Sequence, residues 1–296
     1  MRPVASEIAA AKLNLALSVG PPGVDRMHPI SSWMVTVDFG DELTVQRLED
    51  DSLSRYAIVW HADARRRSQI DWSITRDLAV RAHLALERHH DRTLPVQLLL
   101  QKRIPVGGGL GGGSSNAAAM LRAVNRLFDL GMSPEELATI GAGLGSDVPF
   151  LVHGGSAVVE GLGERVERRT TTSALDLVLV LPEASCPTGA VYAAFDRRGS
   201  AGLRSEAIRA LATHGRPDPG ALFNDLAEAA MEVAPPLSSI ASAVGNLAER
   251  PVHVTGSGST LFTVCDDRLH SEALAKTIDE RLGVPAIAVR TAGGEG

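Results

Sequence analysis

The sequence predicts a mixed α+β protein of two domains. Three observations carry this. Helical and strand patterns interleave without the regular alternation of a βαβ array. Some of the strand-like runs are spaced as hairpins. A shift to Thr- and Arg-rich composition over residues 165–174 then marks a boundary, giving domains at 1–165 and 166–296.

The elements follow in order. Leu78, Ala82, Ala85 and Leu86 lie close to one face of a helix over 78–88. Val96, Leu98 and Leu100 alternate with Gln97 and Gln101, as in a strand with one wetter face. A helix over 117–130 stops at Gly131. The next one starts at Ser133, with Pro134 in its first turn and Glu136 three residues after the serine, the spacing of a capping box. Strands are expected at 156–160, 175–181 and 260–265, and helices at 221–233, 237–249 and 269–282. Residues 200–219 read as a loop around one short helix, and the glycine-rich tail 293–296 as disordered.

The composition narrows the function. Of 296 residues, 44% are hydrophobic and 22% charged, which is ordinary for a well-cored globular chain. The net charge of −6 disfavours nucleic acid as a partner, and 4% aromatics leaves little for base stacking. The absence of a long apolar run argues against a membrane span and a signal peptide. Two isolated cysteines, Cys186 and Cys265, suit a reduced cytoplasmic setting and have no zinc-ligand spacing.

Chemistry concentrates at residues 104–116. Six glycines fall within the seven residues 107–113, so backbone amides can approach a bulky anion and positive φ costs little. The segment follows a strand and opens a helix, whose first N–H groups and dipole end attract phosphate. Pro105, Gly107, Gly108, Gly109, Leu110, Gly111, Gly112, Gly113, Ser114, Ser115 and Asn116 are therefore the candidate phosphate-binding residues, with the last three at capping positions. No Gly-Lys-Ser/Thr closes the loop as in a Walker motif, and no acidic residue stands where a dinucleotide fingerprint needs one.

This loop resembles the phosphate motif of the GHMP kinases. Three further blocks are similar to that family and stand in its order: Ala10-Ala11-Lys12-Leu13-Asn14-Leu15, Leu144-Gly145-Ser146-Asp147-Val148-Pro149-Phe150 and Thr255-Gly256-Ser257-Gly258-Ser259. The resemblance implies a ribosomal protein S5-like N-terminal domain, a ferredoxin-like C-terminal domain, and ATP with Mg2+ at the glycine loop. It implies phosphorylation of a small alcohol. The wording of the loop points to the branch acting on the 2-hydroxyl of a cytidine diphosphate ester of methylerythritol, in non-mevalonate isoprenoid synthesis. No membrane and no stable protein partner is implied.

By the same resemblance Asp147 is the candidate general base and Lys12 its cationic partner, with Asn14 as a polar positioning group. Lys102 falls on the adenine side. Gly256, Ser257 and Gly258 would close on the acceptor's diphosphate. His28 would read the cytosine edge, and Tyr192 would contact the base.

Two positions depart from the pattern. Met27 stands where the family has a stacking tyrosine, and a thioether lacks that flat surface. Asp77 stands where the family has asparagine near the adenine pocket, and a carboxylate accepts but cannot donate. Both touch base recognition. A homoserine- or mevalonate-like acceptor therefore stays open, as does a nucleotide binder without turnover.

Overall fold

The computed structural model describes residues 3–170, 174–213 and 216–292. The tail at 293–296 lies outside them, as do three residues of the expected 165–174 boundary. The chain forms two compact units: Met1–Ala11, Phe39–Val106 and Gly111–Gly154 in the first, Lys12–Asp38, Gly107–Leu110 and Gly155–Gly296 in the second. Two long strands, β1 (Val4–Val19) and β2 (Ile30–Arg47), pair with each other and give residues to both units.

In the first unit, β3 (Arg55–Trp60) is followed by helix α1 (Leu78–His89), strand β4 (Val96–Lys102), and helices α2 (Gly112–Leu127), α3 (Pro134–Ala142) and α4 (Val148–His153). Strand β4 pairs in parallel with β3, and antiparallel with the end of β2, where Glu42 faces Gln101 and Arg47 faces Val96. Helix α2 packs on α1, α3 and α4. Its central residues Ala117, Ala118, Ala119, Met120 and Leu121 are all buried, and the alanines combine high helix propensity with close approach of the neighbouring backbones. The expected capping box of α3 is complete: Ser133 Oγ accepts from Glu136 N, and the Glu136 side chain accepts from Ser133 N.

The second unit continues with β5 (Ser156–Gly161), β6 (Arg165–Arg169), β7 (Asp176–Val180), helices α5 (Thr188–Arg198), α6 (Ser205–Thr213), α7 (Ala227–Val233) and α8 (Pro236–Ala248), strands β8 (His253–Val254) and β9 (Leu261–Cys265), helix α9 (Arg268–Leu282) and β10 (Ala286–Arg290). Strand β5 pairs with the start of β2, where Trp33 is buried and its indole N–H donates to Ser156 Oγ at 2.9 Å. The order β10-β7-β9-β8, antiparallel throughout, is the ferredoxin-like arrangement. Its core includes Val178, Val180, Val191, Ala229, Leu237, Leu261 and Ile278.

The mixed α+β class is as expected, with two local corrections. Helix α2 begins at Gly112 rather than 117, because Gly111 at φ +67° supplies the cap and Ser114, Ser115 and Asn116 lie inside the first turns. The expected helix over 221–233 forms only from Ala227, after a 3₁₀ turn at Pro219–Ala221. Between them the chain pairs with β1 instead: Leu17 N donates to Phe223 O at 2.9 Å and Asp225 N to Leu17 O at 3.0 Å. Among the described residues no helix is long and apolar enough to cross a membrane.

Replacing Ser133 by Ala removes one half of the capping box ahead of the Asp147 turn. Urea unfolding is expected to show a loss of about 1 kcal/mol.

Candidate active site

The stems of the glycine loop are held in the first unit by one carboxylate. Asp41 is fully buried. Its Oδ1 accepts from the backbone N–H of Arg103 at 2.6 Å and of Ile104 at 2.7 Å, on the incoming side of the loop. Its Oδ2 accepts from Asn116 Nδ2 at 3.0 Å, in the first turns of α2, and from Lys102 Nζ at 2.5 Å. The ammonium of Lys102 and the amide of Asn116 are thus directed at Asp41. Ser115 Oγ likewise donates inward, to Ala10 O at 2.6 Å. Ser114 is half-buried, and its Oγ lies 3.4 Å from where a Cβ on Gly145 would stand. The Gly145–Asp147 turn therefore lies against the N-terminus of α2.

Asp147 itself is half-buried at the start of α4, and its side chain makes no capping hydrogen bond to that helix. Pro149 follows in the first turn of α4, where a missing N–H costs nothing.

The centre of the glycine loop and the C-terminal glycine turn meet backbone to backbone in the second unit. A Cβ on Gly109, whose φ is +78°, would stand 2.4 Å from Thr255 O and 3.0 Å from Gly258 O. Thr260 N donates to Gly108 O at 3.2 Å. Only glycine fits this crossing, for reasons of both space and φ.

Lys12 is buried, at 5% exposure, so it does not snorkel to solvent. Its Nζ donates to Asn14 Oδ1 at 2.6 Å, and Asn14 Nδ2 donates to Ser32 Oγ at 2.8 Å, which in turn donates to Ala16 O. This relay fixes which way the Asn14 amide points. Thr255 Oγ1 accepts from Asn14 N at 2.9 Å, and a Cβ on Gly256 would lie 3.4 Å from both Lys12 Nζ and Asn14 Oδ1. The second unit thus gathers Lys12, Asn14, Gly109, Thr255 and Gly256. Asn224 braces the turn by donating to Val254 O and Gly256 O, both at 2.8 Å.

The base-side candidates Met27, His28 and Tyr192 also fall in the second unit. The His28 ring lies 4.9 Å from the Tyr192 ring, at a tilt of 43°. Met27 is 52% exposed, and its backbone is closed into a turn: Met27 N donates to Asp25 Oδ1, and Met27 O accepts from Gly23 N. Asp77, in the first unit, is the N-cap of α1. Its Oδ1 accepts from Ala79 N at 2.9 Å and its Oδ2 from the Trp72 indole at 3.2 Å, so the acceptor-only side chain is used as an acceptor twice.

Sequence reasoning missed Asp41, Ser32, Thr255 and Asn224. Thr255 stood inside a block already singled out, and only its side-chain role was unread. Asp41 had a weak signal, as an acidic residue within a strand that is otherwise apolar on one face.

Comparison with known proteins adds a family match, two relatives and two solved structures. Residues 77–155 match the family model for the GHMP kinases N terminal domain. The chain is 34% identical over 289 residues to a 4-diphosphocytidyl-2-C-methyl-D-erythritol kinase of Caulobacter sp., covering 92% of each chain. It is 35% identical over 274 residues to that of Salinispora arenicola, covering 90% of this chain and 84% of that one. A solved 4-(cytidine 5'-diphospho)-2C-methyl-D-erythritol kinase superposes with a TM-score of 0.78 at 29% identity, over 98% of this chain and 100% of that one. Mevalonate kinase of L. major, solved with R-mevalonate, superposes at 0.72 with 13% identity, a likeness of fold alone.

Two outcomes follow from this geometry. Asp41→Ala strands the Lys102 ammonium in the interior and is expected to cost about 3–5 kcal/mol in denaturant unfolding. The double variant Asp41→Ala/Lys102→Met recovers much of it, because the lone buried cation is gone. Gly109→Ala forces apart the two glycine turns and is expected to abolish nucleotide binding in calorimetry, with a lowered thermal midpoint.

Proposed function

Because the chain belongs to the GHMP kinases, in the branch of the 4-diphosphocytidyl-2-C-methyl-D-erythritol kinases, we propose that it transfers the γ-phosphoryl group of ATP to the 2-hydroxyl of 4-diphosphocytidyl-2-C-methyl-D-erythritol. The observation that carries this reading is Asp147, a half-buried carboxylate that does not cap its own helix, in a turn against the N-terminus of α2. An anion at that N-terminus and a proton acceptor beside it are what phosphoryl transfer to an alcohol requires.

In the reaction the acceptor hydroxyl oxygen bonds to the γ-phosphorus, the bond from phosphorus to the bridging oxygen breaks, and ADP leaves. Asp147 takes the hydroxyl proton. Lys12, held on Asn14, supplies positive charge for the oxygens that gain charge in the transition state. Pro105 and residues 107–114 would face the ATP phosphates, while Lys102 and Asn116 support the loop through Asp41. Gly256, Ser257 and Gly258 offer backbone to the acceptor's diphosphate, and Met27, His28 and Tyr192 form the base side.

Among the described residues no group of three His, Cys, Asp or Glu side chains could hold a metal ion. A magnesium ion would enter with ATP, and the half-buried Ser114 in the first turn of α2 would be the hydroxyl offered to it. When bound, the ion neutralises charge on the transferring phosphoryl group. Cys186 and Cys265 are buried and not joined in a disulfide, which suits a cytoplasmic enzyme.

The test is ATP consumption by the purified chain with this acceptor and magnesium. Asp147→Asn is expected to lower kcat by about 100-fold or more while ATP binding persists. Turnover of homoserine or mevalonate in place of the cytidylyl acceptor would overturn the substrate assignment. Full activity in Asp147→Asn would overturn the role of the carboxylate.

A further inference from the structure

Helix α4, which Asp147 opens, is too short to hold its own shape. Its six residues close few internal hydrogen bonds, and the last carbonyls of a helix have no partner further along it. Here those carbonyls are satisfied from outside. Gly154 N donates to Phe150 O at 2.8 Å. The next two are taken by one side chain: Arg122 Nη1, from α2, donates to Leu151 O at 2.9 Å and to Val152 O at 3.3 Å. A guanidinium at this end of a helix also meets the favourable side of its dipole. Arg122 is held in turn by Glu7 on β1, whose Oε2 accepts from Arg122 Nε at 3.2 Å. Arg126, one turn later on α2, pairs with the other oxygen of the same carboxylate at 2.8 Å.

The route from Arg122 to Asp147 is two hydrogen bonds long. Leu151, whose carbonyl receives the guanidinium, donates its own N–H to Asp147 O at 3.1 Å. A shift of Leu151 therefore shifts the backbone that carries the Asp147 carboxylate. All these residues belong to the first unit. Arg122 also stands on the helix whose N-terminus is proposed for the phosphates, about 15 Å along the axis from Gly112. Helix α2 thus offers its first turn to the nucleotide, and from its middle it fixes the far end of the helix that the proton acceptor opens.

We infer that Arg122 is a positioning residue for phosphoryl transfer. By closing the C-terminal end of α4 it sets where Asp147 stands against the N-terminus of α2. The inference rests on the reading of Asp147 as proton acceptor, and adds to it the residue that keeps this carboxylate in register with the phosphates.

The experiment compares Arg122→Met, Arg122→Lys and Arg126→Met with the unmodified chain, by steady-state kinetics with the cytidylyl acceptor and by amide hydrogen exchange over residues 147–154. Arg122→Met leaves Glu7 paired with Arg126, so it strands no carboxylate. It is expected to lower kcat about tenfold with KM for ATP unchanged, and to speed exchange at the Leu151 amide. Arg122→Lys keeps a donor for the two carbonyls and is expected to retain most of kcat. Arg126→Met breaks the ion pair that does not involve α4 and is expected to leave kcat as it is. An unchanged kcat in Arg122→Met, an equal loss in Arg126→Met or Arg122→Lys, or a parallel rise in KM for ATP would overturn the role. If the unmodified chain does not turn over the cytidylyl acceptor, or Asp147→Asn is fully active, the functional reading fails by itself, and hydrogen exchange decides whether Arg122 orders the Asp147 turn. Faster exchange at Leu151 in Arg122→Met but not in Arg126→Met sustains that ordering, and unchanged exchange overturns it.

Discussion

One buried carboxylate organises the part of the molecule on which the rest depends. A glycine-rich loop is the least self-ordering segment a chain can contain, because each glycine has the largest backbone entropy to lose. Its shape must therefore be imposed from its stems. Asp41 does this in the first unit, receiving two backbone N–H groups from one stem and a side-chain amide from the other, with Lys102 balancing its charge. A buried ion pair is weak as a source of net stability, since desolvation offsets much of the attraction. Its value here is geometric: four donors converge on two oxygens, and few other arrangements of the stems satisfy them all.

The two glycine turns show a second kind of constraint. In the second unit the carbonyl of Thr255 occupies the space where any side chain at position 109 would be. The same threonine's hydroxyl receives Asn14 N, and Asn14 receives Lys12. A strand, a loop and a turn far apart in sequence are thereby joined by contacts between backbone and short polar groups. Such contacts have little tolerance, unlike the apolar core under α5 and α7, where volume can be redistributed among several side chains.

Much of this was legible in the sequence. The glycine run, the Ser133 capping box, strands β4, β5, β7 and β9, and helices α1, α8 and α9 carry local signals that survive folding almost unchanged. What was not legible depended on distant partners. Residues 222–226 look helical by composition but run beside β1, because Asp225 finds donors and an acceptor on β1 and Asn224 finds acceptors in the Val254–Gly256 turn that a helix would not offer. The start of α2 was hidden because serines and glycines read as loop, although the helix needs Gly112 where a side chain would strike Ile104. Lys102 reads as a charge at the end of a strand, and only its burial beside Asp41 gives it a different part.

The crossing of Gly109 and Thr255 also bears on how chains of this kind lose function over time. A mutation at Asp147 touches the surface of a turn, whereas a mutation at Gly109 pulls apart two segments of backbone. Selection for folding alone would keep the glycines long after selection for turnover had lapsed. A glycine-rich signature is in this sense a fossil of architecture, and an inactive descendant would display it as fully as an active one. The identities of positions 12 and 147 are the better diagnostic of a working enzyme. This chain retains both as lysine and aspartate.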